Sequence, residues 1–139
     1  MTKTFENLAS TDLGMATSIL EQKDARFSEI AHVAGKIKVI QHSNGFEALL
    51  KMIVSQQLSV AAAEAIWKKL ENLGILNERK IVGIDDFQLR DLGLSRQKVV
   101  YVKELARAAL DYPKLEGMET KEVITVLTNI KGIGVWTAE

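Results

Sequence analysis

Apolar residues recur along most of the chain with the spacing of an α-helix. The clearest segment carries them at i, i+3, i+4, i+7 and i+8, which places on one helix face Phe46, Leu49, Leu50, Ile53 and Val54. The pattern predicts helices over residues 12–22, 24–34, 46–54, 60–73, 78–82, 85–92, 96–111, 120–129 and from 135 onward. Residues 36–40 alternate with period two, but a single strand has no partner, so we treat them as a connector. The chain is therefore predicted to be one all-α domain over residues 1–139, a helical bundle.

Residues at the predicted helix ends support these boundaries. Side chains that can cap a helix by accepting a backbone N–H stand at Ser43 or Asn44, Ser59, Ser95 and Thr120. Gly74 and Pro113 are stop signals, and Pro113 is predicted to end the helix that begins at residue 96. In that helix Lys98 is predicted to lie away from the apolar stripe.

The composition is that of an ordinary globular protein, because 47% of the 139 residues are hydrophobic and 26% are charged. There is no Cys, which excludes disulfides, thiolate-bound zinc and iron–sulfur clusters within this chain. No apolar run is long enough to cross a membrane, and the first residues lack the apolar core of a secretion signal. We therefore expect a cytoplasmic protein without a membrane partner.

The charges give no sign of a general attraction to nucleic acid. The 18 Lys and Arg residues balance the 18 Asp and Glu residues, so the net charge is zero. Any binding to a polyanion must then come from local geometry. His32 and His42 lack an acidic cluster beside them in the sequence, and we interpret them as ordinary surface or core residues rather than metal ligands.

The segment with the most specific chemistry is Gly132-Ile133-Gly134, between two predicted helices. Two glycines around an apolar residue permit positive φ angles and close approach of another backbone, with Ile133 tucked between the helices. We expect the amide N–H groups of Gly132, Ile133, Gly134 and Val135 to point outward and form an anion site. Such a site binds a DNA phosphate without reading the sequence. The alternative is that the segment only closes a turn between two helices.

Three blocks of sequence are similar to the helix-hairpin-helix DNA glycosylases, and most similar to their DNA-3-methyladenine glycosylase II branch. They are residues 53–62 (Ile-Val-Ser-Gln-Gln-Leu-Ser-Val-Ala-Ala), 92–98 (Leu-Gly-Leu-Ser-Arg-Gln-Lys) and 127–139 (Leu-Thr-Asn-Ile-Lys-Gly-Ile-Gly-Val-Trp-Thr-Ala-Glu). The resemblance implies a bundle of the helix-hairpin-helix glycosylase type and a function in base excision repair. It implies a hydrolase that releases alkylated purines, of the 3-methyladenine type, from duplex DNA. Chemistry on a base within a duplex requires that the nucleotide be flipped out into a pocket.

The resemblance also implies roles for individual residues. Gln57 takes the position that wedges into the duplex where the base has left, with Gln56 beside it. The alternative is that both glutamines only cap helices or bind backbone groups. Trp136 takes the position of the Schiff-base lysine of bifunctional members and would stack on the flipped base, unless it is a core residue that packs the hairpin. With no lysine at that position, strand cleavage by an amine nucleophile is not expected.

No organic cofactor is expected. In the family that this chain resembles, backbone carbonyls of the hairpin bind a monovalent cation that bridges to a DNA phosphate. The matching positions here are Thr128, Ile130 and Ile133. Carbonyl oxygens are suitable ligands for such a hard ion.

The resemblance places the family's catalytic Asp after the second helix of the hairpin, and no Asp of this chain matches it. We therefore expect the chain to be truncated before that Asp, which would follow Glu139, and to bind DNA without releasing a base. Apolar surface left uncovered is then expected to be buried by self-association or by a missing C-terminal segment. Two alternative functions remain: a non-catalytic helix-hairpin-helix DNA-binding module, and a helical protein-interaction domain in which the hairpin is only a turn.

Overall fold

The computed structural model describes residues 5–35 and 44–139, with side chains from residue 13 onward. Its contacts divide the chain into two compact units, Met1–Gln41 and His42–Glu139. All regular structure in the described ranges is helical, which confirms the predicted all-α class. Among the described residues no helix is both long and apolar enough to cross a membrane. The prediction of one domain over residues 1–139 stays a prediction, and residues 36–40 lie outside the described ranges.

The first unit contains two helices, α1 (Phe5–Lys23) and α2 (Arg26–Ala34). Helix α1 begins earlier than predicted, because residues 5–11 contain no Gly or Pro that would stop it and extending an existing helix is favourable. Between the helices the Asp24 carboxylate accepts hydrogen bonds from the Arg26 backbone and guanidinium at 2.5–3.0 Å. The side-chain hydrogen bond from Arg26 lowers the pKa of Asp24.

The second unit contains α3 (Phe46–Ser55), α4 (Val60–Asn72), α5 (Glu78–Gly83), α6 (Asp86–Asp91), α7 (Arg96–Arg107), α8 (Tyr112–Glu116), α9 (Thr120–Thr128) and α10 (Val135–Ala138). Helix α7 packs against α3, α5 and α6, and α3 also packs against α4. The core between them is closed by fully buried side chains: Leu50, Ile53, Leu70, Ile81 and Leu105. Leu50 and Ile53 lie on the apolar face of α3 that the sequence pattern predicts, and α7 is the central element on which the site is built.

Two of the predicted helix caps are confirmed and two are wrong. Ser59 and Ser95 accept backbone N–H groups of α4 and α7 at 3.3 and 3.2 Å. Asn44 does not cap α3, whose N-cap is Gly45 with φ of 99°; its side-chain amide donates to Glu116 instead. Ser43 lies outside the described residues. Thr120 is the first residue of α9 rather than its cap, because a capping box begins at the preceding glutamate.

The end of α7 and the role of Pro113 also differ from the prediction. Helix α7 ends at Arg107 and not at residue 111, since Ala109 adopts a φ of 44° that breaks the helical path. The side chain of Asp111 then caps a short unpredicted helix, α8, at 3.1 Å. Pro113 lies in the first turn of α8, where its missing N–H costs nothing. The proline therefore starts a helix instead of stopping one.

Candidate nucleic-acid interface

The Gly132-Ile133-Gly134 segment joins α9 to α10 as a tight hairpin. Gly132 has a φ of 99°, and a Cβ at this position would lie 2.3 Å from Cγ of Tyr101 on α7. Glycine is therefore required at 132 both by the backbone angle and by the packing of α7 against the hairpin. Ile133 is only 4% exposed and belongs to the core, as predicted. The hairpin is thus fixed to the body of the unit from two sides.

The hairpin amides divide into one that is used internally and three that are not. The Ile133 N–H donates to the Ile130 carbonyl at 3.0 Å, so the prediction that it points outward is wrong. The N–H groups of Gly132, Gly134 and Val135 donate to no carbonyl or side chain among the described residues. Gly134 has an ordinary extended backbone, with φ of −90° and ψ of 173°, and a Cβ there would meet no atom within 4 Å. Neither conformation nor packing within the described chain requires glycine at 134.

A polar cavity of about 340 Å³ lies beside the hairpin. It is lined by residues from the α3–α4 turn, from the first turns of α7 and from the hairpin: Gln56, Gln57, Ser95, Gln97, Lys98, Tyr101, Gly132, Ile133 and Gly134. The structure thus brings five of the residues singled out from the sequence to one place: Gln56, Gln57, Gly132, Ile133 and Gly134. Val135 and Trp136 do not line this cavity.

The two glutamines of the α3–α4 turn are placed differently. Gln56 is half-buried, and its side-chain amide donates to the Gly132 carbonyl at 2.9 Å. Gln57 is exposed and has a φ of 54°, a left-handed conformation that costs a non-glycine residue about 1–2 kcal/mol. Residues held in such strained conformations cluster at functional sites. The bond of Gln56 matches the alternative of a backbone contact, whereas Gln57 is free to project.

Trp136 lies on α10 and is 91% exposed. This exposure contradicts the alternative in which the indole packs the hairpin core. The preceding residue, Val135, is 56% exposed as well. An indole and an isopropyl group in water are apolar surface that is available to a ligand. A stacking role for Trp136 stays a prediction.

Four residues that line this cavity were not expected to belong to the site: Ser95, Gln97, Lys98 and Tyr101. Lys98 was predicted to lie away from the apolar stripe, but it is 9% exposed and its Nζ donates to the Val54 carbonyl at 2.6 Å. Burial lowers the pKa of Lys98. Its spacing of four and seven residues from Val102 and Leu105 was the available signal, because that spacing puts all three on the buried face of α7.

A second cavity, of about 320 Å³, is mainly apolar and lies between α3, α8, α9 and α10. Tyr112 lines this cavity, and its hydroxyl is buried and has no hydrogen-bond partner among the described residues. Burial, with a smaller contribution from the charge of Glu78, raises the pKa of Tyr112 to about 12. In the described part of the chain, no three His, Cys, Asp or Glu side chains cluster in a way that could hold a metal ion.

The chain is similar in sequence and in fold to several known proteins. The chain is 29% identical to DNA-3-methyladenine glycosylase 1 of Schizosaccharomyces pombe over 93% of its own length and 62% of that protein. A crystal structure of a DNA-3-methyladenine glycosidase from Bacillus halodurans matches with a TM-score of 0.70 at 35% identity, over 85% of this chain and 58% of that one. The S. pombe 3-methyladenine DNA glycosylase in complex with abasic DNA matches with a TM-score of 0.78 at 26% identity, over 89% and 66% of the two chains. The chain thus spans less than two thirds of the length of each of these proteins.

The family match covers all the residues that line the cavity beside the hairpin. Residues 50–135, from the buried face of α3 to the first residue of α10, match the family described as HhH-GPD superfamily base excision DNA repair protein. This range is more than half of the 139 residues and contains both the glutamine turn and the hairpin. The chain therefore belongs to the HhH-GPD superfamily of base excision DNA repair proteins.

Proposed function

We propose that this chain binds damaged duplex DNA and serves the hydrolytic release of alkylated purines, of the 3-methyladenine type, without strand cleavage. The observation that carries the proposal is the open backbone at Gly134. No described atom lies within 4 Å of a Cβ built there, and the N–H groups of Gly132, Gly134 and Val135 donate to no described carbonyl. A DNA phosphate fits there, because its oxygens accept N–H groups and its close approach needs a residue without a side chain. The relatives named above support the substrate class. Because the proposed substrate is DNA, the protein would act in the cell compartment that contains the DNA.

Each part of the interface then has a task. The amides of Gly132, Gly134 and Val135 hold the backbone, which explains how a chain with zero net charge binds a polyanion. Gln57 fills the space in the base stack, and Trp136 offers a stacking face to the flipped base. No carboxylate lines the cavity beside the hairpin, so these residues account for binding and not for cleavage of the glycosidic bond. The catalytic Asp remains the expectation stated from the resemblance.

We also propose that the hairpin carbonyls bind a monovalent cation, as the family resemblance implies. The carbonyls of Thr128 and Ile133 accept no backbone hydrogen bond outside the helices from the described residues, while that of Ile130 accepts the Ile133 N–H. Two free carbonyl oxygens at one turn are a donor set that a hard cation accepts. Residues Thr128, Ile130 and Ile133 would hold it, and the ion would supply positive charge next to a phosphate.

The test compares two glycine variants with the same chemistry at different places. Gly83, at the end of α5, also has open space around its Cα and no positive φ. Gly134→Glu and Gly83→Glu each change the net charge from zero to −1, so any effect of overall charge is matched. Binding is measured by fluorescence anisotropy with an abasic-site duplex and with an undamaged duplex at two salt concentrations.

We expect Gly134→Glu to weaken binding about tenfold or more, which corresponds to the loss of one charged hydrogen bond, while Gly83→Glu binds as the wild type does. A preference for the abasic duplex favours the glycosylase over a simple DNA-binding module. A module that contacts only phosphates should bind both duplexes equally, because the phosphates are the same whether or not a base is missing. Equal affinities of the two variants would refute the proposal.

A further inference from the structure

The starting point is the buried ammonium group of Lys98. Its only polar contact among the described residues is the bond from Nζ to the Val54 carbonyl at 2.6 Å, and no described carboxylate lies within ion-pair distance. A buried charge without a counter-ion lowers stability unless its hydrogen bonds offset the loss of water. A lysine at this point of α7 is therefore better explained by what it holds than by what it adds to the core.

What Lys98 holds is the carboxyl-terminal end of α3. Val54 is the residue before the last of that helix, and the turn to α4 follows directly. One residue into this turn, Gln56 donates to the Gly132 carbonyl of the hairpin at 2.9 Å. Two side-chain hydrogen bonds therefore fix the same short stretch of backbone, and each joins residues more than 40 positions apart in the sequence.

Gln57 comes immediately after this stretch and has a φ of 54°. A left-handed non-glycine residue persists only where its surroundings hold it, since the alternative conformations are lower in energy. The backbone bonds of the turn stay local: the Gln56 N–H donates to carbonyls of α3, and the Leu58 N–H donates to the Ser55 carbonyl at 3.2 Å. Only the Gln56 bond joins the turn to the hairpin among the hydrogen bonds of the described residues.

We propose that Lys98 and Gln56 are positioning residues that hold Gln57 at a fixed distance from the phosphate-binding hairpin. A strand gripped at Gly134 then presents the gap left by its flipped nucleotide to a side chain already in place. This inference rests on the proposed function. Without the two bonds the turn must become ordered during binding, which costs binding free energy. This cost lowers the affinity for damaged DNA, where Gln57 enters the gap, more than the affinity for undamaged DNA, which is bound through phosphate contacts alone.

The experiment compares variants that remove the donors without changing side-chain length. Lys98→Met loses one positive charge and the bond to Val54, and exposed Lys68→Met loses the same charge without a bond. Gln56→Met loses the bond to the hairpin, and Gln22→Met on α1 is its control. The first readout is the ratio of affinities for abasic and undamaged duplexes. The second is the fluorescence of 2-aminopurine next to the abasic site, which rises when the wedge unstacks it.

We expect Lys98→Met and Gln56→Met each to lower the affinity ratio about threefold to tenfold and to reduce the 2-aminopurine signal at saturation. Lys68→Met and Gln22→Met should keep both. Lys98→Arg should recover part of the ratio, because a guanidinium still donates to a carbonyl. A merely structural role would change the melting temperature and both affinities together, with the ratio unchanged.

The outcomes separate this inference from the proposed function. If the wild-type chain binds DNA through Gly134 and prefers the abasic duplex, but all four methionine variants keep that preference, the positioning role is refuted and the function stands. If the wild type shows no binding that depends on Gly134, the function itself fails. Should Lys98→Met not fold, Gln56→Met decides, since Gln56 is only half-buried and its loss leaves no buried charge.

Discussion

Replacing Gly132 with Ala should unfold the hairpin locally and destabilise the whole unit. A Cβ at 132 would lie 2.3, 2.5 and 2.7 Å from Cγ, Cδ2 and Cβ of Tyr101, all well inside van der Waals contact. The backbone φ of 99° is a second obstacle, since L-residues rarely adopt it. The substitution adds a single methyl group, and Gly134→Ala serves as the control for its effect on the unfolded chain.

The magnitude follows from these two terms. Holding a non-glycine residue at such a φ costs about 1–3 kcal/mol, and forcing an extra carbon into a packed contact costs about another 1–3 kcal/mol. Their sum is about 2–6 kcal/mol. For a chain of this length 1 kcal/mol corresponds to about 3 °C in Tm, so we expect a fall of about 6–18 °C. Gly134→Ala has no such terms and should stay within about 0.5 kcal/mol of the wild type.

The assay is thermal and urea unfolding of the 139-residue chain, followed by circular dichroism, for both alanine variants. A third variant, Gly132→Ala combined with Tyr101→Ala, tests the contact itself. Tyr101→Ala removes the ring atoms at 2.3 and 2.5 Å but leaves the Tyr101 Cβ at 2.7 Å. The cost of Gly132→Ala, measured in the Tyr101→Ala background, should therefore fall by about 1 kcal/mol but not vanish. If Gly132→Ala is as stable as Gly134→Ala, the argument from this hairpin geometry is wrong.

Three further predictions concern a cap, an exposed indole and a buried phenol. Ser95→Ala removes the oxygen that accepts the Lys98 N–H and should cost about 1 kcal/mol in urea unfolding; an unchanged midpoint would show that the cap contributes nothing. Trp136→Ala should leave Tm within about 2 °C, since the side chain is 91% exposed; a larger fall would place the indole in a packed contact. Tyr112→Phe removes a buried hydroxyl without a described partner and should raise stability at pH 7 by about 1 kcal/mol. Because the folded pKa of Tyr112 is raised to about 12, the wild type should lose stability through this group as pH rises from about 10 to 12, by up to about 2 kcal/mol, and the Phe variant should not. Parallel pH curves for the two proteins would contradict that assignment.

The parts of the fold that follow from local rules could be predicted from the sequence. The apolar face of α3 and the caps at Ser59 and Ser95 depend on residues within one or two turns of each other, and all are present. Burial of Ile133 could also be predicted, because an apolar side chain in a tight turn between two helices is expected to pack between them. Boundaries failed where two local signals compete, as at Thr120, where a capping box that begins one residue earlier takes the N-terminus.

The remainder of the site depends on contacts between residues far apart in sequence. The place of Lys98 is set by a carbonyl 44 residues away, and the bond of Gln56 joins it to a carbonyl 76 residues away. Helical periodicity shows which face of α7 is buried, but it does not show that the Val54 carbonyl lies within hydrogen-bond distance of Lys98. A lysine on such a face therefore looks like a solvated residue until the neighbouring helix end is known.

The two glycines of the hairpin show why a motif can be recognised before it is understood. In the sequence they are equivalent, since both flank Ile133 and both are expected to free the backbone. In the structure only Gly132 has a positive φ and a neighbour that excludes a side chain, whereas Gly134 has neither. The fold accounts for the first glycine and leaves the second unexplained, and a ligand that comes close to the backbone supplies the missing reason. An alanine at 134 that preserves both stability and DNA affinity would remove that reason, and with it the main physical support for a phosphate at this hairpin.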